Sequence, residues 1–126
     1  MKKIIHPANA PAPLAPYNPG ILVNNTLYAS GQIAIDPTTG TLVLDNIEAE
    51  THQVMANILA ILQAANMTFD NVVKCTIFLS DMGNYGRVNT IYGEYFQRTI
   101  APARECVQVA CLPRNVNIEI SVIAVQ

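Results

Sequence analysis

Val54-Met55-Ala56-Asn57-Ile58-Leu59-Ala60-Ile61-Leu62-Gln63-Ala64-Ala65-Asn66 and, a short step later, Val72-Val73-Lys74-Cys75-Thr76-Ile77-Phe78-Leu79 read as a helix and a strand in direct succession. In the first segment Val54, Met55, Ile58, Leu59, Ile61, Leu62 and Ala65 recur at helical spacing and make one broad apolar stripe. Asn66 is a natural stop, because Asn tolerates the left-handed backbone that ends many helices. The second segment is rich in β-branched residues, which suit a pleated surface and not a helix. One element is apolar along a stripe and the other along a face, so each must pack on a second layer.

Toward the N-terminus, Asp45-Asn46 can cap the helix from about Ile47, with Glu48 and Glu50 at its positive end. Asp36-Pro37-Thr38-Thr39-Gly40 is a turn cluster, and Ile33-Ala34-Ile35 before it reads as a short strand. Ile21-Leu22-Val23 and Leu27-Tyr28-Ala29 flank Asn24-Asn25-Thr26 as a hairpin, with Ser30-Gly31-Gln32 following the second strand. Pro7, Pro11, Pro13, Pro16 and Pro19 exclude helix from the segment around Ala8 to Gly20, leaving an arm with Tyr17 in its middle. Toward the C-terminus, a second helix is expected over roughly Tyr85 to Arg98, with Val88, Ile91, Tyr92, Tyr95 and Phe96 on its buried stripe. Ala101-Pro102 breaks the chain, and two strands close it, Arg104 to Ala110 and Asn117 to Val125. This order implies a single α+β domain with helices packed on one face of a sheet.

The 126 residues suit one domain spanning 1–126, and 51% of them are apolar against 13% charged, with a mean hydropathy of +0.26. So greasy a balance in a small chain points to a homo-oligomer, which buries surface a monomer keeps polar. No apolar run approaches a membrane span, and the apolar stretch after Met1-Lys2-Lys3 is too short for a signal peptide, so a cytoplasmic location is expected. Cys75, Cys106 and Cys111 are odd in number and lack CxxC spacing, which argues against a disulfide framework or zinc knuckle. His6 and His52 form no metal-binding pattern, read as surface residues, and no metal is expected. Seven scattered basic residues and a net charge of −2 offer no footprint for nucleic acid.

Two charged residues stand out. Glu119 lies inside the otherwise apolar Val116-Asn117-Ile118-Glu119-Ile120-Ser121-Val122-Ile123, and Arg104 opens the neighbouring strand just after Pro102. A carboxylate in a buried strand is costly unless paired or working. One reading is a structural Arg104–Glu119 ion pair, or an edge strand with Glu119 facing water. The other is an active site, in which Arg104 grips a small carboxylate with its planar fork and Glu119 deprotonates a water.

Pro102-Ala103-Arg104-Glu105-Cys106-Val107-Gln108-Val109-Ala110, then Leu112-Pro113, then Ile118-Glu119-Ile120, resembles the C-terminal signature of the reactive-intermediate deaminase (RidA/YjgF) family. Pro16-Tyr17, Ala29-Ser30-Gly31-Gln32-Ile33, Asp36-Pro37-x-Thr39-Gly40 and Val88-Asn89-x-x-Tyr92 follow in the family's order and spacing, so the resemblance spans nearly the whole chain. It implies a chorismate-mutase-like α+β fold, a six-stranded mixed sheet with two helices on one face, assembled as a homotrimer with three sites between subunits. It implies that Arg104 binds the substrate carboxylate and Glu119 activates water. Tyr17 would close the pocket, Ser30 would touch the substrate, and the backbone of Cys106 would make a further contact. The implied reaction is hydrolysis of imines and enamines such as 2-aminoacrylate and 2-aminocrotonate, released by pyridoxal-phosphate dehydratases, to 2-oxo acids and ammonia. No cofactor is called for. The alternatives are an endoribonuclease that inhibits translation, an activity also attached to the family, and a non-catalytic trimer that binds small carboxylates.

Some positions depart from the family's commoner pattern. Ala15 and Pro19 stand where Gly and Gln are frequent, Ala34 replaces a Pro, Cys111 an Arg and Cys75 a Thr, which bears on the pocket edge more than on the reaction. Cys106 has no histidine near in sequence to lower its pKa, so a packed or backbone-contact role is expected of it instead of a nucleophilic one. Asn89 is expected to hold backbone across a subunit boundary or to sit exposed on its helix. Arg87, Arg98 and Arg114 are expected to be solvated or interfacial.

Overall fold

The computed structural model describes residues 1–10 and 13–126; Pro11 and Ala12 of the proline-rich arm lie outside the described residues. Six strands and two helices follow one another as β1 (Lys2–Ile5), β2 (Gly20–Val23), β3 (Thr26–Gln32), α1 (Ile47–Ala64), β4 (Val72–Leu79), α2 (Tyr85–Tyr92), β5 (Ala103–Gln108) and β6 (Ile118–Val125). The strands form one sheet in the order β1-β2-β3-β6-β4-β5. All neighbours are antiparallel except β4 and β5, which α2 joins by a crossover.

Local chemistry sets the element ends. Asn46 caps α1 by accepting the Ala49 N–H at 2.7 Å, and Asn66 leaves the helix at φ 58°. The hairpin turns on Asn24 at φ 53°, with Val23 and Thr26 already paired across it. Val54, Met55, Ile58, Ile61 and Leu62 of α1 are buried against Ile77 and Leu79 of β4 and Ile118, Ile120 and Val122 of β6. Val88 and Tyr92 of α2 join the same core, so both helices cover the same face. Leu59, expected on the same stripe, is only half-buried and stays outside that core.

Several expectations are corrected. Ile33-Ala34-Ile35 is not a strand; it makes one bridge, Ile35 to Leu42, and is pinned instead by Asn57, whose side-chain amide donates to the carbonyls of Ile33 and Ile35 at 3.1 and 2.9 Å. The sixth strand is β1, which pairs with β2. The second helix ends at Tyr92 and not near Arg98, because Gly93 follows and the rings beyond it dock locally. Tyr95 and Phe96 pack on Phe69, and the Tyr95 hydroxyl meets His52 Nδ1 at 2.6 Å, so His52 is half-buried and partnered. β5 stops at Gln108 and β6 begins at Ile118, each shorter than its apolar pattern. Glu50 is fully buried: its two oxygens accept from the Asn117 backbone and side-chain amides at 2.8 and 2.7 Å. That pair ties the first turns of α1 to the start of β6.

Alternation along the strands gives the sheet two unlike faces. Cys75, Ile77 and Leu79 point under the helices, whereas Thr76 and Phe78 point to the opposite, open face. On that open face Tyr28 and Val107 are exposed at 50% and 43%.

Candidate active site

Arg104 lies directly opposite Cys75 on β4, which puts its side chain on the helix-covered face. Its guanidinium reaches α2, where Nη1 donates to Asn89 Oδ1 at 2.7 Å and Nη2 donates to the Tyr85 hydroxyl at 2.8 Å. Its Cζ stands 5.0 Å from the Tyr92 ring centroid and 5.5 Å from that of Tyr85. Two hydrogen bonds and two aromatic faces hold a flexible side chain in one direction. No carboxylate pairs with Arg104 among the described residues, and the groups beneath it are neutral. Burial pushes the Cys75 thiol up to about 11, and burial likewise raises the Tyr92 hydroxyl, which has no hydrogen-bond partner among the described residues. The remaining guanidinium donors therefore face a pocket of about 540 Å³ with no anion of the chain's own.

Asn89 spends its side-chain oxygen on Arg104 within the same chain, half-buried; it is a prop for the guanidinium and is not simply exposed. Cys106 sits opposite Ile77, on the same face as Arg104, and is half-buried. Burial raises its thiol pKa although Arg104 pulls the other way, so it stands as a neutral thiol at pH 7.

Glu119 is paired with Phe78 on β4, an odd number of residues from Cys75, so it points to the other face of the sheet. The structural ion pair between Arg104 and Glu119 is thus absent: the two side chains lie on opposite faces, and the parity of the ladder keeps them there. Glu119 is half-buried, has no hydrogen-bond or ion-pair partner among the described residues, and has its pKa raised by desolvation. The carboxylate lies hard against Gly31, where an added Cβ would collide with Oε2. Gly31 sits at the irregularity in the β3–β6 pairing between Ala29 and Gln32, and a bulge of this kind re-aims neighbouring side chains.

Glu119 and Gly31 line a groove of about 1080 Å³ together with Tyr17, Gln32 and Arg114. Tyr17 is 56% exposed on the arm above it. Ser30 holds that arm in place: its hydroxyl donates to the Asn18 carbonyl at 2.6 Å and its N–H donates to the Pro19 carbonyl at 2.8 Å. Arg114 and Asn115 take left-handed backbone at φ 55° and 56°, and Cys111 Sγ donates to Asn115 Oδ1 at 3.2 Å.

One chain thus brings together Arg104, Asn89 and Cys106 on one side and Tyr17, Ser30 and Glu119 near the other. Tyr85 was not legible as a partner of Arg104, because an exposed helix-start tyrosine has no pattern of its own. Gly31 could have been suspected as a glycine inside a strand. Among the described residues no cluster of His, Cys, Asp or Glu could hold a metal ion. No helix among them is long and apolar enough to cross a membrane.

The profile of a family described as endoribonuclease L-PSP matches residues 7–126. A RutC family protein of Synechocystis is 50% identical, over 98% of this chain and 95% of its own. The 2-iminobutanoate/2-iminopropanoate deaminase of Mus musculus is 45% identical over 100% of this chain and 93% of its own. The crystal structure of YyfA from Yersinia pestis, described as a protein of unknown function of the conserved Rid family, superposes with a TM-score of 0.95 at 48% identity, covering 100% of both chains.

Proposed function

The chain belongs to the reactive-intermediate deaminase (RidA/YjgF) family, and from that premise we propose that it hydrolyses 2-imino acids of the 2-iminobutanoate and 2-iminopropanoate class in sites completed between copies of itself. The observation that carries the reading is the separation of Arg104 from Glu119 by the sheet. Arg104 is oriented, unpaired and turned into a pocket suited to a small carboxylate. Glu119 is a desolvated carboxylate without a partner, at an open groove. Each lacks the other's chemistry, and only a second copy can bring them to one substrate. The open face, with exposed Tyr28 and Val107, is the surface such an assembly would bury, and the homotrimer implied by the sequence resemblance is the form we propose.

In the proposed reaction the enamine tautomerises to the imine, and Arg104 holds the substrate carboxylate through paired N–H donors. Glu119 takes a proton from water as the water oxygen bonds to the C=N carbon. The proton passes to the nitrogen to give the carbinolamine, whose hydroxyl proton then moves to the amine as the C–N bond breaks, so ammonia leaves behind the 2-oxo acid. Imines already hydrolyse in water, so the task is positioning and carrying the two water protons to nitrogen. A raised carboxylate pKa suits a base that must also return its proton. Tyr17, on the arm, closes over the groove, and in this reading Ser30 fixes that arm and touches the substrate. The Cys106 backbone is the remaining substrate contact in this reading.

The test is a coupled assay in which a serine or threonine dehydratase generates the enamine and semicarbazide competes for the imine. Wild type is expected to speed 2-oxo acid formation and suppress trapping, while a folded Arg104→Ala does neither. Retained activity in Arg104→Ala removes the site assignment. No activity in wild type favours the reading as a non-catalytic carboxylate binder. RNA cleavage is separated by filter binding at two salt concentrations, since phosphate contacts weaken steeply with salt.

A further inference from the structure

We infer that Arg98 turns the Arg104 pocket into a site for 2-imino acids that carry a second acidic group, a conclusion that rests on the deaminase reading for its chemistry but not for its binding. The sequence suggested a solvated or interfacial Arg98. It is exposed, and it also lines the same pocket as Arg104. It is placed there by the single 3-10 turn Arg98–Ile100, closed by the Ile100 N–H donating to the Gln97 carbonyl at 3.1 Å, just ahead of Pro102. Pro102 favours extended backbone before it and so helps to fix where the turn ends.

The charge count of the pocket is what calls for a ligand. Arg98 and Arg104 line it and no Asp or Glu of the same chain does, so any carboxylate there comes from a second copy or from the ligand. Two cations elsewhere have carboxylates beside them, Arg87 with Glu48 at 2.6 Å and Lys74 with Glu105 at 3.0 Å, and neither lies in this pocket. Arg98 has no ion pair and no side-chain hydrogen bond among the described residues. A substrate with one carboxylate satisfies Arg104 and leaves the charge of Arg98 facing the same space. A substrate with two satisfies both, and the two attachments orient the carbon between them. Phe96, Gly93 and Ala101 supply wall for the intervening methylenes, and about 540 Å³ exceeds what a three-carbon acid fills. A charge-assisted contact to a guanidinium that is open to solvent changes affinity by about tenfold, well below what a buried one gives.

The experiment compares wild type, Arg98→Gln and Arg98→Lys in two readouts. Calorimetry measures binding of 2-oxoglutarate against 2-oxobutanoate. Turnover is followed on imines generated by amino-acid oxidases from glutamate and from alanine. The inference expects wild type to bind 2-oxoglutarate the more tightly, Arg98→Gln to lower the dicarboxylate-to-monocarboxylate ratio about tenfold, and Arg98→Lys to restore part of it. A wild type that binds both acids alike, or a ratio unmoved by Arg98→Gln, overturns it. If wild type turns over neither imine yet shows the Arg98-dependent binding ratio, the deaminase reading falls and the dicarboxylate site stands. If turnover is present and the ratio ignores Arg98, the reverse holds.

Discussion

The helix-covered face of the sheet and its open face come from the same strands, yet they divide the chemistry between them. Under the helices, Ile77, Leu79, Ile118 and Ile120 are fully buried, and Arg104 is held by Asn89, Tyr85 and the Tyr92 ring. On the open face, Glu119 has a glycine for a neighbour and no partner among the described residues, beside exposed Tyr28 and Val107. The first face is finished by its own chain. The second carries an unpartnered carboxylate beside exposed side chains, and the contrast teaches that the two charged groups of the proposed site were assigned to different sides of one ladder.

The sharpest way to break this contrast is to disarm the finished face without unfolding it. Arg104→Ala is expected to lower kcat/KM on the order of a thousandfold, the cost of losing a paired guanidinium–carboxylate contact that orients the reacting carbon. Circular dichroism should show the fold intact, because no carboxylate of the chain is left unpaired. Next in size, Ile120→Ala should cost about 2–5 kcal/mol in denaturant unfolding as a cavity opens under α1, whereas Tyr28→Ala on the open face should shift the oligomeric state in sedimentation more than the unfolding midpoint of the monomer. Gly31→Ala is expected to lower kcat about 10–100-fold with little change in KM, since its methyl group displaces the Glu119 carboxylate and leaves Arg104 untouched.

The smallest effect is a stability change at Glu119. Its folded pKa is raised by desolvation, so the folded state holds that proton more tightly than the unfolded chain does. The contribution is therefore favourable below the ordinary glutamate pKa and is lost as pH rises through the raised value. Glu119→Gln should melt at a temperature equal to or slightly above wild type at pH 7 while losing turnover. The wild-type rate should fall on the acid side at a pH above that of an ordinary glutamate.

Much of this was readable from residues. The stripe from Val54 to Ala65 and the β-branched run from Val72 fixed the two layers, and the C-terminal signature pointed to Arg104 and Glu119. What escaped has physical causes. β1 is four residues with two lysines, and its strand character comes from pairing with β2, a tertiary effect that no local pattern carries. Ile33–Ile35 has the composition of a strand but lies where Asn57 claims its carbonyls. The helix to Arg98 was lost to aromatic docking around Phe69, which overrides the stripe. Glu50 looked like a dipole partner at a helix start, and only the approach of Asn117 from 67 positions away reveals it as buried. The residues of the site were legible, but the faces they point to were not, because facing depends on strand register.

The claim that one catalytic unit is shared between two copies is tested most directly by mixing two inactive variants, Arg104→Ala and Glu119→Gln, under conditions where subunits exchange, with native mass spectrometry confirming mixed oligomers. Random mixing in equal amounts returns both native residues to about a quarter of the inter-subunit sites, so the mixture should regain about a quarter of wild-type activity although neither parent has any. Mixed oligomers that form and remain inactive would place both residues in one chain's site and contradict the account.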